Sequence, residues 1–541
     1  MRREFFFISF CLFATVAIAT YFWPPAAWSL VIFGPLFALG IADVSQNRHA
    51  IRRNFPIIGN VRYLFEMVRP EIQQYFVEDN QSGRPIPREL RSLVYQRAKG
   101  QTQTQPFGTQ LDVHSEHYEW ANHSMAPKVL KMDDVRVTVG GKDCTHPYSA
   151  SVMNISAMSY GALSYAAISA LNLGAKKGSF YHNTGEGGLS PYHLLGADVV
   201  WQIGTGYFGC RHPDGKFSEE AFAERAVLPN VKMIEIKLSQ GAKPGKGGIL
   251  PASKVSEEVA KIRLVPMGQD VMSPSAHSAF SNPRELLHFV SKLRGLSGGK
   301  PVGFKLCVGQ RHEFLAVCKA MIEMGIRPDF ITVDGGEGGT GAAPLEFTNH
   351  VGSPLEDGLT FVVDALRGFG LREEIRVIAS GKVFTSFDIL RKLALGADMV
   401  NCARGMMLAM GCIQALRCNT NECPTGVATS NPHLVKGLHI PSKSERVFRF
   451  HHETVHHFVE LLGALGLEHP SQIRRADVNR RLTDGGVKTY EQLHPSMPVG
   501  ALLDTARWRS GVASHWHQPM DWAQTNTFAP NPGIQPVRTG T

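Results

Sequence analysis

Nowhere in the 541 residues is there a long block of basic residues interleaved with aromatics, although the formal net charge is +9. The two signs of charge are interspersed, so no nucleic-acid partner is expected. Cysteine is scarce for this length, at nine residues. That excludes a small disulfide-braced scaffold and favours reduced thiols in a cytoplasmic domain. No C-x2-C pair occurs, and zinc usually asks for one together with a fourth ligand. No internal repeat stands out. The glycine-rich dinucleotide fingerprint that opens many doubly wound folds is missing after the first expected strand.

Charge itself is missing from FFFISFCLFATVAIATYF (5–22) and from AAWSLVIFGPLFALGIA (26–42). Each stretch approaches the roughly 20 residues that cross a bilayer. Arg2 and Arg3 precede the first, and Arg48, Arg52 and Arg53 follow the second. The positive-inside rule then puts both ends in the cytoplasm. The expectation is a transmembrane hairpin over 1–45 in a bacterial inner (cell) membrane, with the catalytic domain cytoplasmic. A signal peptide cut after Ala17-Ile-Ala19 is the competing reading. Residues 46–130 read as a helical connector folded onto the main domain, with an amphipathic helix broken at Pro70. Residues 431–541 form an extension whose Pro/Gly/Thr-rich end, 525–541, is expected to be disordered.

Between them, over 131–430, short apolar runs alternate with helical patterns. The runs are SVMNISAM (151–158), GSFYHNTG (178–185), DVVWQIG (198–204), KMIEIKL (232–238), GFKLCV (303–308), DFITVDG (329–335), IRVIASG (375–381) and DMVNCAR (398–404). Alternating strands and helices predict a parallel sheet, and eight such units predict a closed (β/α)8 barrel of the TIM type. Chemistry in such a barrel gathers where strands end and loops begin.

The expected strand ends carry the candidate site residues. Ser159 lies in MSYGALS after strand one, and Glu186 stands between glycines in NTGEGG after strand two. Lys237, Gln240, Lys243 and Lys246 crowd the end of strand four; Lys246 reads as solvated loop, while the others suit an anionic ligand. Arg263 in the next helical stretch is a further candidate for a carboxylate. Lys305 lies within strand five, where a period of two leaves its face undecided. Gly335, Gly336, Gly338, Gly339 and Gly341 follow strand six, Ser380 and Gly381 strand seven, and Arg404 strand eight. Backbone N–H groups after strands seven and eight commonly cradle a phosphate, so the pattern points to FMN. Directly beyond, GCIQALRCNTNECPTG (411–426) spaces Cys412, Cys418 and Cys423 as C-x5-C-x4-C. Three thiolates suit a three-iron cluster, which needs one ligand fewer than a cubane. Cys402, inside strand eight, reads as core packing.

These runs, ISAMSYGALS, NTGEGG, IKLSQGAKPGKGGILP, SPSAH, DGGEGGTGAAP, LGAD and GCIQALRCNTNECPTGVAT, resemble the FMN-binding synthase domain of glutamate synthase over roughly 130–430. The resemblance implies a (β/α)8 barrel holding FMN and a [3Fe-4S] cluster on Cys412, Cys418 and Cys423. It puts Glu186, Gln240, Lys243 and Arg263 near 2-oxoglutarate and Lys305 at the flavin. The implied activity is reductive amination of 2-oxoglutarate to glutamate, with electrons reaching FMN from an unidentified donor through the cluster. Glu186, Lys243 and Lys305 are the implied catalytic residues.

There are departures. Lys246 replaces the family's acidic residue, Ile249 stands where glutamine is common, and no acidic residue follows His277. The family's glutaminase uses a cysteine at its mature N-terminus, whereas this chain starts MRREFFF and its first cysteine, Cys11, lies in an apolar stretch. Ammonia is therefore the expected nitrogen source, unless a separate glutaminase subunit docks. An FMN and iron–sulfur oxidoreductase of another amino or keto acid is one alternative. A membrane electron-transfer module is the other.

Overall fold

The computed structural model describes residues 1–101 and 104–531. Residues 532–541, most of the tail expected to be disordered, lie outside the described residues. The chain divides into two compact units, Met1–Glu89 and Leu90–Thr541.

The first unit opens with helices α1 (Arg2–Phe22) and α2 (Leu30–Ser45), joined by a 3-10 turn over Pro24–Ser29. Both apolar segments, Arg2–Phe22 and Pro24–Ser45, are long and apolar enough to cross a membrane. They pack through aromatic rings: Phe37 stacks on Phe5 at 5.9 Å and meets Phe13 edge-on at 5.1 Å. Gly40 makes this approach possible, since a Cβ there would lie 2.2 Å from Phe5. Helix α3 (Gly59–Ile72) follows and runs through Pro70, ending in a wider π turn over Gln73–Val77. The break expected at Pro70 is thus displaced to Gln73. Up to Glu89 the expected connector belongs to this first unit.

The second unit is a closed barrel of eight parallel strands in sequential order. They are β1 (Met153–Ile155), β2 (His182–Asn183), β3 (Val199–Ile203), β4 (Val231–Lys237), β5 (Val302–Leu306), β6 (Phe330–Asp334), β7 (Arg376–Ser380) and β8 (Met399–Cys402). β8 pairs back onto β1, Val400 opposite Met153. Six strands lie within their expected runs, and β4 and β5 each begin one residue earlier, at Val231 and Val302. Helices cover the outside while side chains fill the interior, so both faces are dry and the strands read as apolar runs. At the N-terminal end a hairpin, Val137–Val139 with Tyr148–Ala150, closes the barrel. Its Val137, Val139 and Tyr148 pack with Val200, Met233 and Phe330. That plug leaves the other end for chemistry.

Residues beyond the expected barrel limits share its body. Helix Ile440–Ala464 packs on helix Tyr165–Gly178 so closely that a Cβ on Gly174 would meet Val447 at 2.7 Å. Strand Glu119–Ala121 pairs antiparallel with Val478–Arg481. Arg480 ties the two stretches to the barrel, its guanidinium reaching both Glu119 and Glu356 at 2.6 Å. Near the chain end His312 Nε2 lies 3.1 Å from the carbonyl of Phe528.

Candidate functional site

Inside the barrel, alternate residues of β4 point to the axis. Glu235 is buried there and accepts from Asn183 Nδ2 (2.8 Å), Gln202 Nε2 (2.7 Å) and Thr332 Oγ1 (2.6 Å). Three donors from three other strands make a buried carboxylate tolerable. One step of the period further, Lys237 ends β4 and points the same way. Its Nζ lies 2.9 Å from Glu186 Oε1, with both side chains nearly buried. Glycines box the Glu186 carboxylate: a Cβ on Gly204 or Gly248 would sit 2.7 or 2.2 Å from its oxygens. Burial pushes the Glu186 carboxyl up, but Lys237, Arg263 and Lys243 together pull it below its ordinary value.

A cavity opens over this pair, lined by Glu186, Lys237, Gln240, Lys246, Thr205 and Ser275. Lys243 does not line it. It is buried behind, Nζ donating to the carbonyl of Ala342 at 3.3 Å. Burial lowers it to about 8, only partly opposed by Glu186, with Lys237 and Lys246 adding repulsion. Arg263 packs against the NTGEGG loop, donating to the carbonyl of Tyr160 at 3.0 Å and reaching Ser159 Oγ at 3.5 Å. Among the described residues its buried Nε has no hydrogen-bond partner. Burial lowers Arg263 to about 10, against the pull of Glu186. Lys246, expected to be merely solvated, is exposed but stands at the cavity mouth, 5.6 Å over the Phe347 ring.

Two participants have partners that the sequence pattern does not assign: Lys237 is expected there only among the donors for an anionic ligand, and His277 carries no role. Lys237 is the ion-pair partner of Glu186; its terminal position on an inward-pointing strand face was the available signal. His277 lies with Nε2 2.9 Å from the Lys237 carbonyl and Nδ1 3.0 Å from the Tyr207 hydroxyl. Burial lowers it to about 4, against the Lys237 carbonyl, so it is neutral and fixes the end of β4.

On β5, the strand next to β4, the face of Lys305 is settled. It points inward beside Lys237, its registered neighbour, and its Nζ lies 3.2 Å from Asp334 Oδ2. Burial opposes its charge, but Asp334 and Glu235 outweigh burial and raise it. Asp334 also accepts from the Gly241 amide at 2.9 Å, locking the loops after β4 and β6 together. At that crossing a Cβ on Gly241 would lie 1.7 Å from the Gly335 carbonyl oxygen. Gly241→Ala is therefore expected to cost at least about 2–3 kcal/mol and to lower the urea midpoint accordingly; an unchanged midpoint would mean that the loops do not cross this way.

The glycine loop after β6 continues toward β7 and β8. The amides of Gly335 and Gly336 donate to Ser380 and Ser353 carbonyls at 3.1 and 2.8 Å, and Gly338 folds back onto Gly335 at 2.9 Å. Ser380 Oγ lies 3.3 Å from Ser156 Oγ, and Gly381 follows with φ of 154°. Arg404 donates to the Glu337 carbonyl at 3.0 Å, and a Cβ on Gly339 would stand 3.1 Å from its guanidinium. Among the described residues no carboxylate pairs with Arg404, and burial lowers it against the more distant Asp334 and Glu337.

The cysteine loop abuts this glycine loop: a Cβ on Gly341 would meet Cys418 Cβ at 3.0 Å. Tyr95 donates to the Cys412 carbonyl at 2.7 Å. Lys254, itself buried, donates to the carbonyls of Cys418 and Ala428, each at 2.9 Å. All nine cysteines are free thiols. Burial pushes Cys412 up to about 11 and also raises Cys418. Cys423 goes the other way: burial opposes it, but the Thr425 hydroxyl and the amides of Ala428, Thr425 and Val427 point at its sulfur and lower it. Among the described residues no three His, Cys, Asp or Glu side chains form a site for a single metal ion. Cys402 is buried on β8, its thiol donating to the Val383 carbonyl at 3.2 Å.

The comparisons with known proteins agree with one another. The model of the conserved region in glutamate synthase matches residues 92–468. The glutamate synthase large subunit-like protein YerD of Bacillus subtilis is 38% identical over 506 residues, 86% of this chain and 95% of that protein. The archaeal glutamate synthase (NADPH) of Methanocaldococcus jannaschii is 38% identical over 296 residues, 54% of this chain and 55% of that protein. The chain thus spans about half the length of the archaeal relative. A mandelate oxidase bound to (S)-4-hydroxymandelic acid has a TM-score of 0.41 at 15% identity, covering 68% of this chain and 88% of that one. That likeness is too slight to carry an argument. A family match across most of the barrel and a relative aligned along nearly its whole length lead to one conclusion: the chain belongs to the glutamate synthase family and is an oxidoreductase of the glutamate synthase type.

Proposed function

We propose that the chain reductively aminates 2-oxoglutarate to glutamate, using FMN and a [3Fe-4S] cluster, at the cytoplasmic face of a membrane. The observation that carries the reading is the charge balance at the barrel mouth. Lys237, Lys243, Lys246 and Arg263 surround one carboxylate, Glu186. A surplus of cations beside a cavity suits a small dicarboxylate. Gln240, at the rim, adds a neutral donor and acceptor. Glu186, held ionised beside Lys237, is suited to accept a proton or orient an ammonium group.

The residues across the mouth fit FMN. Arg404, a partly buried guanidinium without a carboxylate partner among the described residues, is suited to the phosphate, with the backbone at Gly381 and the glycine loop around it. Lys305 would hold positive charge against the flavin ring, and Ser159 and Ser380 would offer hydroxyls. Bound there, FMN supplies two-electron chemistry that side chains lack. The cysteine loop fits an iron–sulfur cluster in one specific respect: donors converge on the Cys423 sulfur, and such hydrogen bonds stabilise cluster thiolates. A multi-iron cluster also wants sulfurs spread around its corners, not gathered on one ion. The two apolar N-terminal helices support the membrane reading, with arginines on the expected cytoplasmic side.

The test is glutamate formation by purified, artificially reduced protein given 2-oxoglutarate with ammonium or with glutamine. Turnover with ammonium alone is the expected result. Equal rates with glutamine, in a preparation of this chain alone, would overturn the nitrogen assignment. No turnover with either would shift weight to another keto acid, an alternative that Ile249 near the mouth favours.

Lys243 makes the reading pH-sensitive. Its ammonium titrates at about 8, so it is charged below that pH and neutral above. An anionic substrate binds the charged form better. KM for the keto acid is therefore expected to rise as pH climbs through about 8. In Lys243→Arg the rise should move to higher pH, because guanidinium stays charged. A KM flat from pH 7 to pH 9, roughly one unit either side of that value, would remove Lys243 from substrate binding.

A further inference from the structure

The first unit carries an apolar face that its own packing does not cover. Along α3 and the turn that follows it, Ile58, Val61, Leu64, Phe65, Ile72 and Phe76 recur at helical spacing and share one side. All six are exposed, Phe65 at 63% and Phe76 at 84%. Tyr63, Glu66, Pro70 and Gln73 occupy the other side. Arg62 and Arg69 stand along one border of the apolar strip. A stripe this wide on a surface helix normally faces a core or a boundary.

Internal bonds fix where α3 begins. Asp43, buried in the last turn of α2, accepts from the Ile57 amide at 2.9 Å and from Asn60 Nδ2 at 2.5 Å. The start of α3 is thereby pinned to the end of the second apolar helix. Arg2 Nε donates to the Arg53 carbonyl at 2.7 Å, so the start of α1 meets the same corner. Arg52 sits 4.3 Å over the Tyr63 ring and stiffens it. Both ends of the apolar hairpin and the root of α3 thus share one level. Between residues 46 and 77 there are five arginines against two glutamates.

From this we infer that α3, with the turn through Val77, is an interfacial helix lying on an anionic bilayer surface. Its apolar face enters the boundary between headgroups and acyl chains, and Arg62 and Arg69 meet lipid phosphates. The inference rests on the reading of α1 and α2 as membrane spans and extends it to a second, in-plane anchor. An in-plane helix would hold the exit of the chain close to the membrane, which two spans joined to a free linker would not.

The test uses the full chain in vesicles of phosphatidylcholine with phosphatidylglycerol. Single nitroxide labels go on Ile32→Cys in α2, Phe65→Cys on the apolar face and Glu66→Cys on the polar face. Collision with oxygen, enriched in lipid, is compared with collision with a water-soluble nickel complex, as the difference from the labelled parent. The oxygen-to-nickel ratio is expected to be several-fold higher at positions 32 and 65 than at position 66. Arg62→Gln with Arg69→Gln should lower the ratio at 65 and leave it unchanged at 32. A lipid-exposed position 32 with a water-exposed position 65 would overturn the interfacial helix while the spans stand. Shielding of 65 from both reagents would mean that a second copy or another protein covers the face, and would overturn it equally. A water-exposed position 32 would remove the spans and the inference together.

Discussion

Cys418→Ser is expected to strip iron and acid-labile sulfide from the purified protein while leaving the barrel folded. The argument is one of separable supports. Cys418 sits in a loop beyond β8, outside any strand or helix and only half-buried. The loop is held by Tyr95 on the Cys412 carbonyl and by Lys254 on the carbonyls of Cys418 and Ala428. All three bonds are to backbone, so a serine leaves them in place. What changes is the ligand: a hydroxyl near neutral pH does not replace a thiolate on iron. With only three cysteines in the loop, no spare thiol takes over. Cys402 is buried on β8 with its thiol on the Val383 carbonyl, so Cys402→Ser is expected to keep the full iron content. Iron and sulfide assays with far-ultraviolet circular dichroism decide it. A Cys418→Ser protein with undiminished iron would show that the ligands are elsewhere.

The contrast between those two cysteines shows what sequence can and cannot carry. All eight strands could be read in advance, because a parallel strand buried on both faces is an apolar run of fixed length between glycine-rich loops. The candidate loops followed from the strands, since each strand end marks a loop at the same end of the barrel. Pairwise geometry did not follow. Whether Lys305 faces the axis depends on register with Lys237 and Thr332, which lie about 70 and 30 residues away, beyond any local periodicity. The donors to Glu235 are similarly scattered over β2, β3 and β6, so its burial carries no local signature. Lys243 and Lys246 exchanged expectations in part: the first is buried behind the cavity, and the second stands at its mouth. Three residues on a tight glycine turn change direction too sharply for spacing alone to assign their faces. Pro70 misled for another reason. A proline forbids a hydrogen bond only to its own missing N–H, and the helix passes it before widening at Gln73.

Lys305→Met is expected to produce the largest combined loss, and a double substitution separates its two causes. Lys305 is buried between Asp334, 3.2 Å away, and the more distant Glu235. Removing the ammonium leaves Asp334 with the Gly241 amide and Glu235 with its three neutral donors. An uncompensated buried charge typically costs about 3–5 kcal/mol, so the urea midpoint should fall steeply. The sign of the titration agrees. A folded pKa raised above its ordinary value means that the charged lysine stabilises the fold fully below the ordinary lysine value, and that this contribution is lost as alkaline pH rises from there through the raised value. Lys305 therefore stays charged where Lys243, at about 8, has begun to lose its proton. Adding Asp334→Asn to Lys305→Met removes the stranded carboxylate and should recover much of the lost stability. It should not recover glutamate formation, because the positive charge that the flavin reading needs is still missing. Flavin absorbance, urea unfolding and turnover measured on both variants distinguish the outcomes. Restored turnover in the double variant would make Lys305 a structural counter-ion and nothing more. Full stability and full flavin content in Lys305→Met alone would show that the buried pair is not what holds this end of the barrel.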